Sequence, residues 1–192
     1  MLRILAYGDS LTAGYGLDPA DAYPAQLQTL LKADKLEVEV VNGGVSGDTS
    51  AQALRRVDWT YKRGPFDLVL LCIGANDGLR LLPLADFEKN LTALIDAFKK
   101  KNARVLLLGM RLPKNLDANY RATFEGIFLK VAKKQKIPFL PFLLEGVATD
   151  QMLNQEDQIH PNREGAQRVA KTVRAFLAPE LRKFLNPSGA WR

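Results

Sequence analysis

A chain of 192 residues, 47% of them hydrophobic, can bury roughly 70% of its unfolded surface in one core, and one domain is the expected count. One Cys and one His are too few ligands for a structural zinc site, an iron–sulfur cluster or a disulfide framework. The net charge of +6 permits anionic partners, but the densest basic runs, 99–101 and 133–134, fall at the ends of predicted helices, where cations favour the dipole and face water. No nucleic-acid motif accompanies them, and no apolar run approaches the ~18 residues that a membrane span needs.

The first predicted strand is Ile4–Tyr7, followed at once by Gly8, Asp9 and Ser10. A helical periodicity at 22–33 leads to a strand at Val38–Val41 and the polar stretch "NGGVSGDTS". A helix at 49–62 precedes a strand at Leu68–Ile73, in which Cys72 is expected as a small apolar core residue, and then "GANDG". A helix at 84–101 leads to a strand at Val105–Gly109 and "MRLPKN"; a helix at 117–135 leads to a strand at Ile137–Leu140 and "PFLLEGVA"; the last helix is 162–178. This alternation predicts an α/β sandwich with a parallel sheet, a single domain over 1–185 without repeats or linkers. In such sheets ligands bind beyond the carboxyl ends of the strands, so the residues just after each strand are the informative ones.

Ser10 by itself is weak: a Gly-Asp-Ser turn between strand and helix serves as readily to cap as to catalyse. A serine hydroxyl becomes a nucleophile when a base takes its proton, and that base needs a third group to fix its tautomer. The one imidazole, His160, has Asp157 three residues before it, a spacing that puts both on one face of a helical turn. Acyl transfer also needs donors for a developing oxyanion. The backbone N–H groups of Ser10 and Gly47 and the side chain of Asn76 are candidates, one from each of the first three strand ends. Asp9 is expected to cap or brace its loop. Asp48 and Asp77 allow either loop bracing or, in principle, a metal, with bracing preferred.

Four blocks in this order, "GDSL", Gly47 in "GVSGDTS", Asn76 in "GAND", and "DQIHP" with Asp157 and His160, resemble those of the SGNH hydrolases, also called GDSL esterases/lipases, over about residues 3–178. The stretches "VVNGGVSGDTS", "IGANDGLR" and "RLPKN…YRATFEGIF" are similar more narrowly to the bacterial thioesterase I, lysophospholipase and arylesterase group. The resemblance implies a flavodoxin-like three-layer α/β/α sandwich with a five-stranded parallel sheet, and hydrolysis of carboxylic esters, sometimes thioesters, with no cofactor and no metal. Small-molecule aryl and short to medium acyl esters are the expected substrates, with acyl thioesters and lysophospholipids beside them, and a monomer is favoured. By position it makes Ser10 the nucleophile, His160 the base and then the acid, Asp157 the orienting carboxylate, and Ser10, Gly47 and Asn76 the oxyanion hole. The "GxSxG" elbow of the larger α/β-hydrolase fold is missing. The loops after the fourth and fifth strands are expected to line an acyl groove, with Arg111, Leu112, Pro113 and Phe142 as candidates, although the second loop fits plain core packing equally well.

Three other readings stay open at this level. One is an O-acetyl esterase for a small acetylated substrate, and another a non-catalytic small-molecule-binding protein on the same scaffold. A nucleotide or flavin module is the third, but it lacks both the G-x-G-x-x-G spacing and a P-loop lysine. "MLRILAYG" is too short for a secretory signal, whereas "SGAWR" at 188–192 resembles the start of a streptavidin-binding affinity tag, so 186–192 reads as a tail. The compartment is periplasmic or extracellular if a signal peptide has been removed, and cytoplasmic otherwise.

Overall fold

The structure, a computed structural model, describes residues 1–185; the tail expected at 186–192 lies outside them. Strands β1 (Leu2–Gly8), β2 (Val38–Gly44), β3 (Leu68–Cys72), β4 (Arg104–Leu108) and β5 (Phe139–Leu140) form one parallel sheet in the order β2-β1-β3-β4-β5. The first crossover leaves β1 for β2, and the next returns past β1 to β3. Right-handed connections therefore place helices on opposite faces and open a crevice between the strand ends where the direction reverses. Helix α1 (Ser10–Ala13) follows β1 directly, and α2 (Tyr23–Ala33) packs on α8 (Arg163–Leu185). The other layer is built from α3 (Ser50–Arg55), α4 (Val57–Tyr61), α6 (Leu84–Lys100) and α7 (Ala118–Gln135), with α5 (Ala75–Leu79) contacting α6.

β3 is buried along its whole length and β1 nearly so, as central parallel strands covered on both faces must be. Cys72 is a buried free thiol within this core. Phe87 of α6 stacks on Phe124 of α7 at 5.2 Å and meets Phe128 edge-on at 5.3 Å. These rings reach the end of β3: Gly74, with φ +120°, lies so close that a Cβ there would be 2.4 Å from the Phe87 ring.

Several elements differ from expectation, beyond shifts of one to three residues at strand ends. The helix expected at 49–62 is two helices, because Arg56 leaves the helical conformation (φ −103°, ψ 7°) and its guanidinium binds Asp48 and the carbonyls of Gly43 and Gly8. β5 has only two residues; Pro138 supplies a carbonyl to Leu107 N–H at 2.9 Å but has no N–H to extend the ladder. α8 runs through Pro179 to Leu185, since Leu177 and Leu181 continue one buried stripe across the proline. The short helices α1 and α5 are too brief to leave a periodicity in the sequence.

Gly74→Ala should lower the free energy of unfolding by about 2 kcal/mol or more, because it adds strain at a positive φ to overpacking against Phe87. Urea denaturation monitored by circular dichroism measures it; an unchanged midpoint would mean that the aromatic cluster does not hold the end of β3.

Candidate active site

Ser10 begins α1, with its side chain half-buried at the end of β1. The capping residue, Asp9, accepts the Leu11 N–H through Oδ1 at 3.1 Å, which fixes the turn that carries the hydroxyl. No side chain fits at the residue before it, since a Cβ on Gly8 would lie 2.2 Å from the Cys72 carbonyl and 2.4 Å from Thr12 Oγ1.

His160 comes from the segment before α8, and its Nε2 lies 2.9 Å from Ser10 Oγ across 150 residues of chain. Its Nδ1 is 2.7 Å from Asp157 Oδ2. Asp157 Oδ1 accepts two backbone N–H groups, from Ile159 and His160, each at 2.9 Å. Partial burial opposes ionisation of this carboxyl, but those N–H groups and the imidazole outweigh it and hold the pKa down at about 2. An ionised carboxylate only accepts hydrogen bonds. The imidazole proton therefore resides on Nδ1, leaving the Nε2 lone pair toward the Ser10 hydroxyl, an arrangement that can take the serine proton.

The loops after β2 and β3 are laced together. Asn76 Nδ2 donates to the Asp48 carbonyl at 3.0 Å, and Arg80 donates to the Gly47 carbonyl at 3.0 Å. Gly47 has φ +84°, a conformation that favours glycine. The N–H groups of Ser10 and Gly47 and the second Nδ2 hydrogen of Asn76 have no acceptor among the described residues. Three donors on the loops after β1, β2 and β3 are thus left for another group.

The neighbouring acids are engaged by protein donors. Asp48 binds the Arg56 guanidinium, while Asp77 accepts the Ser50 N–H at 2.8 Å and the Ser50 hydroxyl at 2.6 Å. The four groove candidates do not line the pocket beside Ser10 and His160. Leu112 is buried and would collide with a Cβ on Gly78, Arg111 lies over the Phe142 ring at 4.9 Å and 3.5 Å from Glu145, and Pro113 is exposed. Leu11, Leu17, Leu143 and Leu144 line that pocket, which at about 10 Å³ has room for no more than a water-sized group. Sequence reasoning also passed over Tyr15, whose ring lies against His160 with centroids 4.7 Å apart, and Gln155, which donates to the carbonyls of Tyr15 and Pro161 at 2.7 and 2.9 Å. Neither carries a signal in a single sequence, because the contacts join segments about 140 residues apart.

Asp9 is 1% exposed, and its Oδ2 has no hydrogen-bond partner among the described residues. Burial pushes its pKa up from 3.8 to about 6, against the opposing pull of the Leu11 N–H and His160. The folded protein thus holds a proton between about pH 4 and pH 6 that the unfolded chain releases, so stability falls as pH rises through that window. Above it the buried charge costs on the order of 3 kcal/mol. Asp9→Asn, which keeps the acceptor for Leu11, should melt above the wild type at pH 8, and the difference should shrink toward pH 4. Parallel melting curves across the range would expose the opposite trend if Asp9 were ionised at little cost.

The profile of the GDSL-like Lipase/Acylhydrolase family matches residues 6–168. The chain is 36% identical over 183 residues to an arylesterase of Vibrio mimicus, covering 95% of this chain and 90% of that protein. To the thioesterase 1/protease 1/lysophospholipase L1 of Escherichia coli K12 it is 37% identical over 183 residues, covering 95% and 85%. The crystal structure of the psychrotrophic esterase EstA from Pseudoalteromonas sp., inhibited by monoethylphosphonate, superposes with a TM-score of 0.86 at 31% identity, over 97% of this chain and all of that one. With the match spanning every strand end that forms the site, the chain belongs to the GDSL-like lipase/acylhydrolase family.

Proposed function

We propose that the protein is a serine hydrolase that cleaves carboxylic esters, with aryl and short to medium acyl esters as its substrates, through an acyl-enzyme on Ser10. The observation that carries this reading is the continuous hydrogen-bonded path from Ser10 Oγ through His160 to Asp157, at 2.9 and 2.7 Å. Ser10 Oγ attacks the ester carbonyl carbon as His160 Nε2 takes its proton. The negative oxygen that develops is met by the N–H groups of Ser10 and Gly47 and by the Asn76 amide, and Asp157 stabilises the imidazolium. Collapse breaks the bond to the leaving oxygen, which receives the proton from His160 and departs as an alcohol or phenol. Water, deprotonated by His160, then attacks the acyl group, and collapse frees the acid and restores Ser10.

The names of the relatives support the same reaction class: an arylesterase, and a thioesterase that is also a lysophospholipase. Acyl thioesters and lysophospholipids belong to this proposal as further substrates, since acyl transfer to Ser10 is the same step whichever atom leaves. A phosphonate bound to serine has the tetrahedral shape of the intermediate, and the Pseudoalteromonas esterase is inhibited by such a compound. The occupied carboxylates of Asp48 and Asp77 favour bracing over metal binding at this end of the sheet.

The test is hydrolysis of p-nitrophenyl butyrate. Ser10→Ala should cost several powers of ten in turnover, with an unchanged melting curve and loss of covalent labelling by a phosphonate ester; retention of more than about a tenth of the activity would remove Ser10 from the mechanism. Asn76→Ala should lower kcat by roughly 10²-fold with little change in KM, since an oxyanion donor acts on charge that appears in the transition state. A change confined to KM would instead assign Asn76 to loop structure.

A further inference from the structure

Tyr15 is an exposed aromatic side chain beside the imidazole of His160. It is 54% exposed, yet its ring is tilted at 42° against the His160 imidazole with centroids 4.7 Å apart. The backbone beneath it is tied to both halves of the site. Its N–H donates to the Ser10 carbonyl at 3.1 Å, and its carbonyl accepts from Gln155 Nε2 at 2.7 Å. Gln155 in turn donates through the same nitrogen to Pro161 O and through its own N–H to the His160 carbonyl at 2.8 Å. The adjoining Gly16 leaves room for this carboxamide: a Cβ there would lie 2.2 Å from Gln155 Oε1. The Tyr15 hydroxyl has no hydrogen-bond partner among the described residues, so the ring is positioned by its backbone and its contact with the imidazole.

We propose that Tyr15 is a specificity-determining residue for the leaving group: its ring is the wall against which a flat aromatic leaving group rests while His160 protonates it. The inference rests on the ester-hydrolase reading above. When the tetrahedral intermediate collapses, the carbon–oxygen bond breaks toward the leaving oxygen, and the proton that Ser10 gave to His160 completes the phenol. That oxygen must come within hydrogen-bond reach of Nε2, about 2.6–3.2 Å. A ring bonded directly to it then falls beside the imidazole, where Tyr15 offers an aromatic surface. Offset or edge-to-face contact between rings adds to simple burial, and a small alkyl group has no face with which to gain it.

The experiment compares kcat/KM, which reports acylation, for phenyl butyrate and 2,2,2-trifluoroethyl butyrate, an activated ester without a ring. In Tyr15→Leu the phenyl-to-trifluoroethyl ratio should fall about three- to tenfold relative to wild type, the scale of one aromatic pair, and Tyr15→Phe should keep the ratio. Equal losses on both esters, or no loss on either, would overturn the inference and leave Tyr15 as a support for His160. Inhibition of the wild-type protein supplies a check that needs no variant: phenol should inhibit competitively at lower concentration than cyclohexanol, and equal inhibition would count against the aromatic wall. Failure of the wild type to hydrolyse either ester would overturn the ester-hydrolase reading, and this inference with it, whereas normal hydrolysis with an unchanged ratio overturns this inference alone.

Discussion

β1 pairs with β2 on one side and β3 on the other, so the chain must leave its carboxyl end into a crevice bounded by the two crossovers. The positions of Ser10, Gly47 and Asn76 start from that placement. Register pairs Gly8 with Gly44 and with Cys72, so the segments that begin just beyond these residues, carrying Ser10, Gly47 and Asn76, start level with one another. The crowding is severe enough that Gly8 and Gly44 leave no room for a side chain: a Cβ on Gly44 would lie 2.2 Å from the Ala13 N. Parallel pairing thus does the first part of the positioning before any functional side chain is considered.

Side chains then fix what the sheet only brings near. Arg56 joins Asp48 to the carbonyls of Gly43 and Gly8 and lies over the Tyr7 ring at 4.1 Å, tying the end of β1 to the loop after β2. Ser50 and Asp77 tie that loop to α5, and Asn76 and Arg80 close the same gap from the other side. These bonds consume carbonyls and carboxylates while the N–H groups of Ser10 and Gly47 have no acceptor among the described residues, so the end of the sheet is biased toward donating hydrogen bonds. That polarity suits a developing negative oxygen. Asn76 shares in holding the loops and keeps one amide hydrogen unused, while Arg56, Arg80, Ser50 and Asp77 only brace them.

Two carboxyls close to Ser10 have opposite environments, and this separates their roles. Asp157 receives two backbone N–H groups and the imidazole, which overcome its desolvation and keep it ionised to about pH 2. Asp9 receives one N–H and is buried, so desolvation raises its pKa to about 6. The first can hold a charged imidazole through a catalytic cycle, whereas the second shapes a turn. Both are aspartates within three residues of a candidate catalytic group, and only the count of donors and the access of water tell them apart.

The order of strands and helices was legible in the sequence because each buried strand is an apolar run and each long helix an apolar stripe, both enforced locally by where water is excluded. Ser10, Asp157 and His160 stood out as candidates too: the chain has a single histidine, with an acid three residues before it, and the blocks that carry Ser10, Gly47 and Asn76 fall at successive strand ends. The sequence determined those candidates, but tertiary structure decided the 2.9 Å contact that joins residues 150 apart, since no local pattern encodes a distance across the sheet. It likewise decided that Arg56 breaks a helix to reach two carbonyls, that Leu143 and Leu144 line the small void beside Ser10, and that Tyr15 lies on His160. In each case the outcome depends on which distant atoms remain unsatisfied or unfilled once the chain has closed on itself, a quantity that exists only in three dimensions.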